Sequence, residues 1–202
     1  MEMDGPYQEF LKLVRTCFDE SDCAGDSPKV YLYEHQYLHV TIATLLPLQT
    51  KGSDIRDKQL EEQYIQLLEA AMSRPTWPSS DKPLTLSYKS TQLGANAGIL
   101  LWEDSTGGIT AMRKCLRDEA ESRGLDIHGI PGIFHTTFIR FPEVPDTDGK
   151  IIQFRYQTRV VPTASTIFQK PLKVSSVKLV CEKMPYMHIP DNEDHVLLKI
   201  EF

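Results

Sequence analysis

The chain has 202 residues, 41% of them hydrophobic, which is enough to close one sizeable core without crosslinks. A formal net charge of -6 excludes a protein that coats long duplex nucleic acid, because that affinity comes from many Lys and Arg contacts to phosphates. Cys17, Cys23, Cys115 and Cys181 form neither a CxxC pair nor a zinc-ligand spacing, so reduced thiols are expected, with no disulfide, metal or other cofactor.

At the N-terminus, Met-Glu-Met-Asp-Gly-Pro lacks the positive region and apolar run of a signal peptide. No later apolar stretch reaches membrane-spanning length, so a cytoplasmic or nuclear monomer with no membrane partner is expected. Asp4 as a cap and Pro6 in the first turn precede Tyr7, Phe10, Leu11, Val14, Cys17 and Phe18, whose spacing predicts an amphipathic helix. A polar stretch from Asp19 to Ser27 follows. The run from Val30 to Leu48 is rich in Tyr, Val, Ile, Thr and Leu and predicts strand, with His39 inside it. Leu60, Tyr64, Leu67, Leu68 and Ala71 predict a second helix, entered near Ser53 and Asp54 and stopped before Pro75.

Leu84, Leu86 and Tyr88 alternate as a half-buried strand, and Ile99 to Trp102 reads as a covered one. Ile109, Met112, Leu116 and Ala120 predict a third helix, closed by Gly124. His135 falls in a strand-like run from Ile133 to Phe141, and Ile151 to Val161, Val174 to Cys181 and Val196 to Phe202 read as further strands. Several consecutive strands lack an intervening helix, which favours an antiparallel α+β fold in a single domain over residues 1–202. From Lys150 to Lys183 the basic residues face one acid, Glu182; a solvated strand face is the plainer account of such a run, and the path of an anionic ligand is the other.

Of the six histidines only His39 and His135 are followed two positions later by a hydroxyl residue, in Leu38-His39-Val40-Thr41-Ile42 and Phe134-His135-Thr136-Thr137-Phe138. On a strand, such a pair points to one face, roughly 6 to 7 Å apart. Two imidazoles whose ordinary pKa lies near ~6.5 can hold one neutral and one charged ring at neutral pH, which provides the base and acid for cleaving a phosphodiester without a metal. The Thr41 and Thr137 hydroxyls would donate to non-bridging phosphate oxygens, and Arg140 would add a fixed charge. Tyr37, by alternation with His39 and Thr41, would stack on a base. Trp102 reads as core, Thr136 as the residue facing the helices, and His35, His128, His188 and His195 as surface or loop positions.

The paired motifs resemble the two-histidine phosphoesterase superfamily, whose hallmark is two His-x-Thr/Ser motifs. That resemblance implies two pseudo-symmetric lobes of antiparallel sheet with outer helices, and a central cleft into which His39, Thr41, His135 and Thr137 face. It also implies a metal-independent phosphodiesterase acting on a nucleotide or RNA-end substrate, either a 2',3'-cyclic phosphate or a 2',5' linkage. Asp19 to Ser27, Thr76 to Lys82 and Pro142 to Lys150 read as local additions to the family pattern. The alternative from another class is a nucleotide or RNA-end binding module that keeps the cleft and does no chemistry.

Overall fold

The computed structural model describes residues 4–26, 28–46, 58–181 and 196–202. The chain divides into two compact units: Met1–Val40 with Leu86–Glu103 and Ile133–Leu172, and Thr41–Thr85 with Asp104–Gly132 and Lys173–Phe202. Among the described residues, helices α1 (Asp4–Arg15), α2 (Glu20–Cys23), α3 (Lys58–Met72), α4 (Gly108–Arg123), α5 (Gly149–Arg155) and α6 (Val161–Ile167) accompany seven strands. These are β1 (Tyr31–Leu32), β2 (Leu84–Leu93), β3 (Ala97–Asp104), β4 (Phe134–Arg140), β5 (Leu172–Val174), β6 (Ser176–Val180) and β7 (Val196–Glu201). Strands β1, β4, β3, β2 and β5 form one sheet in that order, and β6 pairs with β7 in another. The β1/β4, β3/β4 and β6/β7 pairs are antiparallel, so the expected α+β class holds.

In the first unit, α1 buries Tyr7, Phe10, Leu11 and Val14, the i, i+3, i+4, i+7 stripe of its sequence. Phe10 meets Phe138 of β4 edge-on at 4.9 Å and Phe168, just after α6, at 5.4 Å. Leu86, Leu100 and Trp102 complete this side of the sheet, and Trp102 is 3% exposed, as its sequence context predicts. The Trp102 indole N–H donates to the Thr136 hydroxyl at 2.9 Å, which satisfies both buried polar groups.

Strand β4 does not alternate regularly. Gly98 pairs with Ile139 and Ile99 with Thr137, so Phe138 is an extra residue, a β-bulge. Phe138 and Ile139 are consequently both fully buried, and Phe141, three residues after Phe138, also reaches the α1 side, against Phe18 at 5.9 Å. Gly98 makes the bulge possible: a Cβ there would lie 2.5 Å from both Ile139 Cγ2 and Phe138 Cζ. Gly98→Ala is therefore expected to lose about 1–3 kcal/mol through overpacking, read as a lowered denaturant midpoint.

Two expectations are corrected. Ile151 to Val161 is not strand: α5, a π-helical turn Tyr156–Val160 and α6 form one continuous run. Local β-branched composition is overridden by Asp148, whose carboxylate caps the Lys150 and Ile151 N–H groups at 2.8 and 3.3 Å, and by burial of every fourth residue, Ile152, Tyr156, Val160 and Ala164. The wide turn, in which Val161 N–H reaches the Tyr156 carbonyl, keeps this spacing of four on one face and precedes Pro162, which has no N–H to give. Over the described residues from Val30 to Leu46 the chain is strand only at Tyr31–Leu32; a 3-10 turn over His35–Tyr37 follows, closed by Tyr37 N–H to Glu34 and Leu38 N–H to His35 carbonyls. Leu48, Ser53, Asp54, Lys183, His188 and His195 lie outside the described residues.

The polar stretch after Asp19 and the tract Pro142 to Lys150 prove to be joined. Fully buried Asp22, in α2, accepts from Asp146 N–H at 2.6 Å, Thr147 hydroxyl at 2.6 Å and Asp19 N–H at 3.2 Å. Burial alone would raise its pKa, but hydrogen bonds from the Thr147 hydroxyl and the Asp146, Asp19 and Thr147 N–H groups outweigh it and the carboxyl lies below its ordinary value.

In the second unit, α3 buries Tyr64, Leu67, Leu68 and Ala71 against α4, which presents Cys115, Leu116 and Ala120. Gly124, at φ 63°, ends α4 with its N–H shared between the Ala120 and Glu121 carbonyls, as the sequence predicts. Leu179 of β6 and Leu198 and Ile200 of β7 pack on Leu68, Ala71, Cys115 and Leu116. No helix among the described residues is long and apolar enough to cross a membrane.

Candidate active site

The second motif lies on β4. There Thr136 is fully buried under α1 and α6, so His135 and Thr137, on either side of it, take the opposite, half-buried face. Their β3 neighbours on that face are Leu101, opposite His135, and Ile99, opposite Thr137. Arg140 is five residues beyond His135, an odd spacing that regular alternation would carry to the α1 side. The bulge reverses this. With Phe138, Ile139 and Phe141 committed to the α1 side, Arg140 falls on the face of His135 and Thr137. Its Nε is buried and has no hydrogen-bond partner among the described residues, which leaves a fixed cation with donor capacity to spare.

His39 also belongs to the first unit, but on an extended segment after the 3-10 turn rather than on a ladder strand. Its Nδ1 lies 2.9 Å from the Tyr37 carbonyl. A carbonyl only accepts, so Nδ1 carries the proton and the neutral ring keeps its lone pair on Nε2. Burial lowers the His39 pKa, and the Tyr37 hydrogen bond only partly counters it, so the ring favours its neutral form.

The strand alternation that singled out Tyr37 is corrected. Tyr37 closes the 3-10 turn, where the strand alternation linking it to His39 and Thr41 does not exist, and it contributes its carbonyl. Thr41 falls in the second unit, because the division of the chain runs between Val40 and Thr41. There the carbonyls of Thr41 and Ile42 accept from Arg113 of α4 at 2.9 and 3.1 Å, and Thr44 exchanges backbone hydrogen bonds with Gly129 at 2.7 and 3.0 Å. Arg113 is 7% exposed, and burial lowers its pKa while Asp104 opposes the shift.

Sequence reasoning passed over Arg113, although its signal is legible: it occupies the buried stripe of Ile109, Met112, Leu116 and Ala120, where a charge needs a dedicated acceptor. The described part of the basic run is divided between the two units. Arg155 bonds the Cys17 carbonyl at 3.2 Å beside Asp19, Lys150 and Arg159 lie on the helical run, and Lys173 and Lys178 lie on β5 and β6. No protein-family model matches the chain, and no curated protein matches its sequence.

Proposed function

We propose that the protein is a metal-independent phosphodiesterase acting on a nucleotide or RNA-end phosphodiester, a 2',3'-cyclic phosphate or a 2',5' linkage, with the two-lobed cleft of the two-histidine phosphoesterases. The observation that carries the reading is the placing of a histidine, a hydroxyl and an arginine whose Nε has no partner among the described residues on one face of β4, with His39 poised as a neutral imidazole. The His39 tautomer suits a general base: Nε2 accepts the proton of water or of a ribose hydroxyl, and the proton on Nδ1 is steadied by the Tyr37 carbonyl. His135 then serves as the acid for the leaving oxygen. Thr41, Thr137 and Arg140 hold the non-bridging oxygens and offset the charge that develops on them.

A panel of nucleoside 2',3'-cyclic phosphates and 2',5'- and 3',5'-linked oligoadenylates, incubated with EDTA, tests the reading. Turnover that persists in EDTA supports it and names the substrate class; nucleotide binding without turnover on any member replaces it with the binding module. The pH profile is a second check. A base whose pKa is lowered stays neutral further into acid, so the acidic limb of kcat/KM is expected below the ordinary histidine value of ~6.5. A limb at or above that value would remove His39 from the role of base.

A further inference from the structure

The edge strand β1 sets a tyrosine beside the arginine of the candidate site. Tyr31 is the register partner of Arg140, and opposed residues of an antiparallel pair carry their side chains on one face with Cβ atoms about 4.5–5.5 Å apart. The half-buried Tyr31 ring therefore shares the face of Arg140, Thr137 and His135. Its position is braced. Tyr33 meets it edge-on at 5.2 Å and 90°, is itself 2% exposed, and has its carbonyl fastened by the Tyr7 hydroxyl at 2.8 Å. Burial, then Glu34, Tyr37 and Tyr33, hold the Tyr31 phenol above its ordinary pKa, so it stays neutral throughout the physiological range.

We propose that Tyr31, and not Tyr37, is the platform on which the base of a nucleotide substrate stacks, with Arg140 taking the adjoining phosphate. This rests on the phosphoesterase reading and narrows it to substrates that carry an aromatic base next to the phosphate. A ring fixed before binding loses little entropy when the base arrives, and every base offers a π-face, so tolerance among bases is expected. The flanking guanidinium supplies charge without any base-edge readout.

Calorimetric titration with 2'-AMP and with ribose 5-phosphate, on the whole protein and on its Tyr31→Leu, Tyr31→Phe and Arg140→Gln variants, separates the contributions. The unaltered protein is expected to bind 2'-AMP about tenfold more tightly than ribose 5-phosphate. Tyr31→Leu, which keeps an apolar side chain in β1 but removes the flat ring, should close that gap; Tyr31→Phe should preserve it; Arg140→Gln should weaken both ligands in parallel. Equal affinities in the unaltered protein, or a gap that survives Tyr31→Leu, overturns the platform while the phosphoesterase reading stands, since ribose 5-phosphate is still bound. Binding of neither ligand overturns both.

Discussion

Replacing either His39 or His135 by alanine is expected to cut turnover of the responsive phosphodiester by about 10² to 10⁴, the range a single positioned acid or base supplies. Stability should hardly change. The Nδ1 hydrogen bond of His39 reaches a carbonyl only two residues away, and His135 lies on the half-buried face of β4, away from the Phe10, Phe138 and Phe168 cluster. Because the two rings act on one proton inventory, the double variant should be little worse than either single one. Steady-state rates beside thermal melts separate the two effects. A single variant with undiminished rate would sink the two-histidine mechanism, and a rate lost only together with the fold would make the residue structural.

Asp22→Ala should produce the largest loss of stability among single polar replacements, about 2 kcal/mol or more, because it strands the Thr147 hydroxyl and the Asp146 N–H, each costing about 1–3 kcal/mol when left unpaired, while the Asp19 N–H keeps the Thr147 hydroxyl oxygen at 3.1 Å. The same carboxylate predicts a pH signature. Its folded pKa lies below the unfolded value of about 3.9, so the unfolded chain takes up the proton first as pH falls. Its contribution is therefore complete above that value and is lost as pH falls through the folded pKa. Denaturant melts between pH 6 and pH 2.5 should show this acid-side loss in the natural sequence and a shallower one in Asp22→Ala. Equal slopes would mean that the carboxylate is not the origin.

The helices α1, α3 and α4 were legible because each writes its buried stripe at helical spacing and, for α4, its closing glycine. The second motif was legible for the same reason at period two. What composition hides is context. Ile151 to Val161 reads as strand residue by residue, and only the cap at Asp148 and the spacing of Ile152, Tyr156, Val160 and Ala164 identify the helical run. The stretch around His39 reads as strand too, yet beyond Tyr33 it leaves the β4 ladder and bonds locally, so alternation was the wrong ruler for Tyr37. The partner of Asp22 was invisible for another reason: it lies 125 residues away, and nothing in a local window couples an acid to a threonine at that distance.

The bulge in β4 also sets what the gene can tolerate. Losing a single codon at Phe138 or Ile139 would restore regular pairing with β3, an outcome that usually counts as a repair of the sheet. It would also make the step from His135 to Arg140 even, so regular alternation keeps Arg140 on the face of His135 and Thr137 and Phe141 on the α1 side. Such a deletion would keep the cation beside His135 and Thr137 and remove one of two fully buried side chains from the α1 side, so it is expected to cost stability while sparing the motif face.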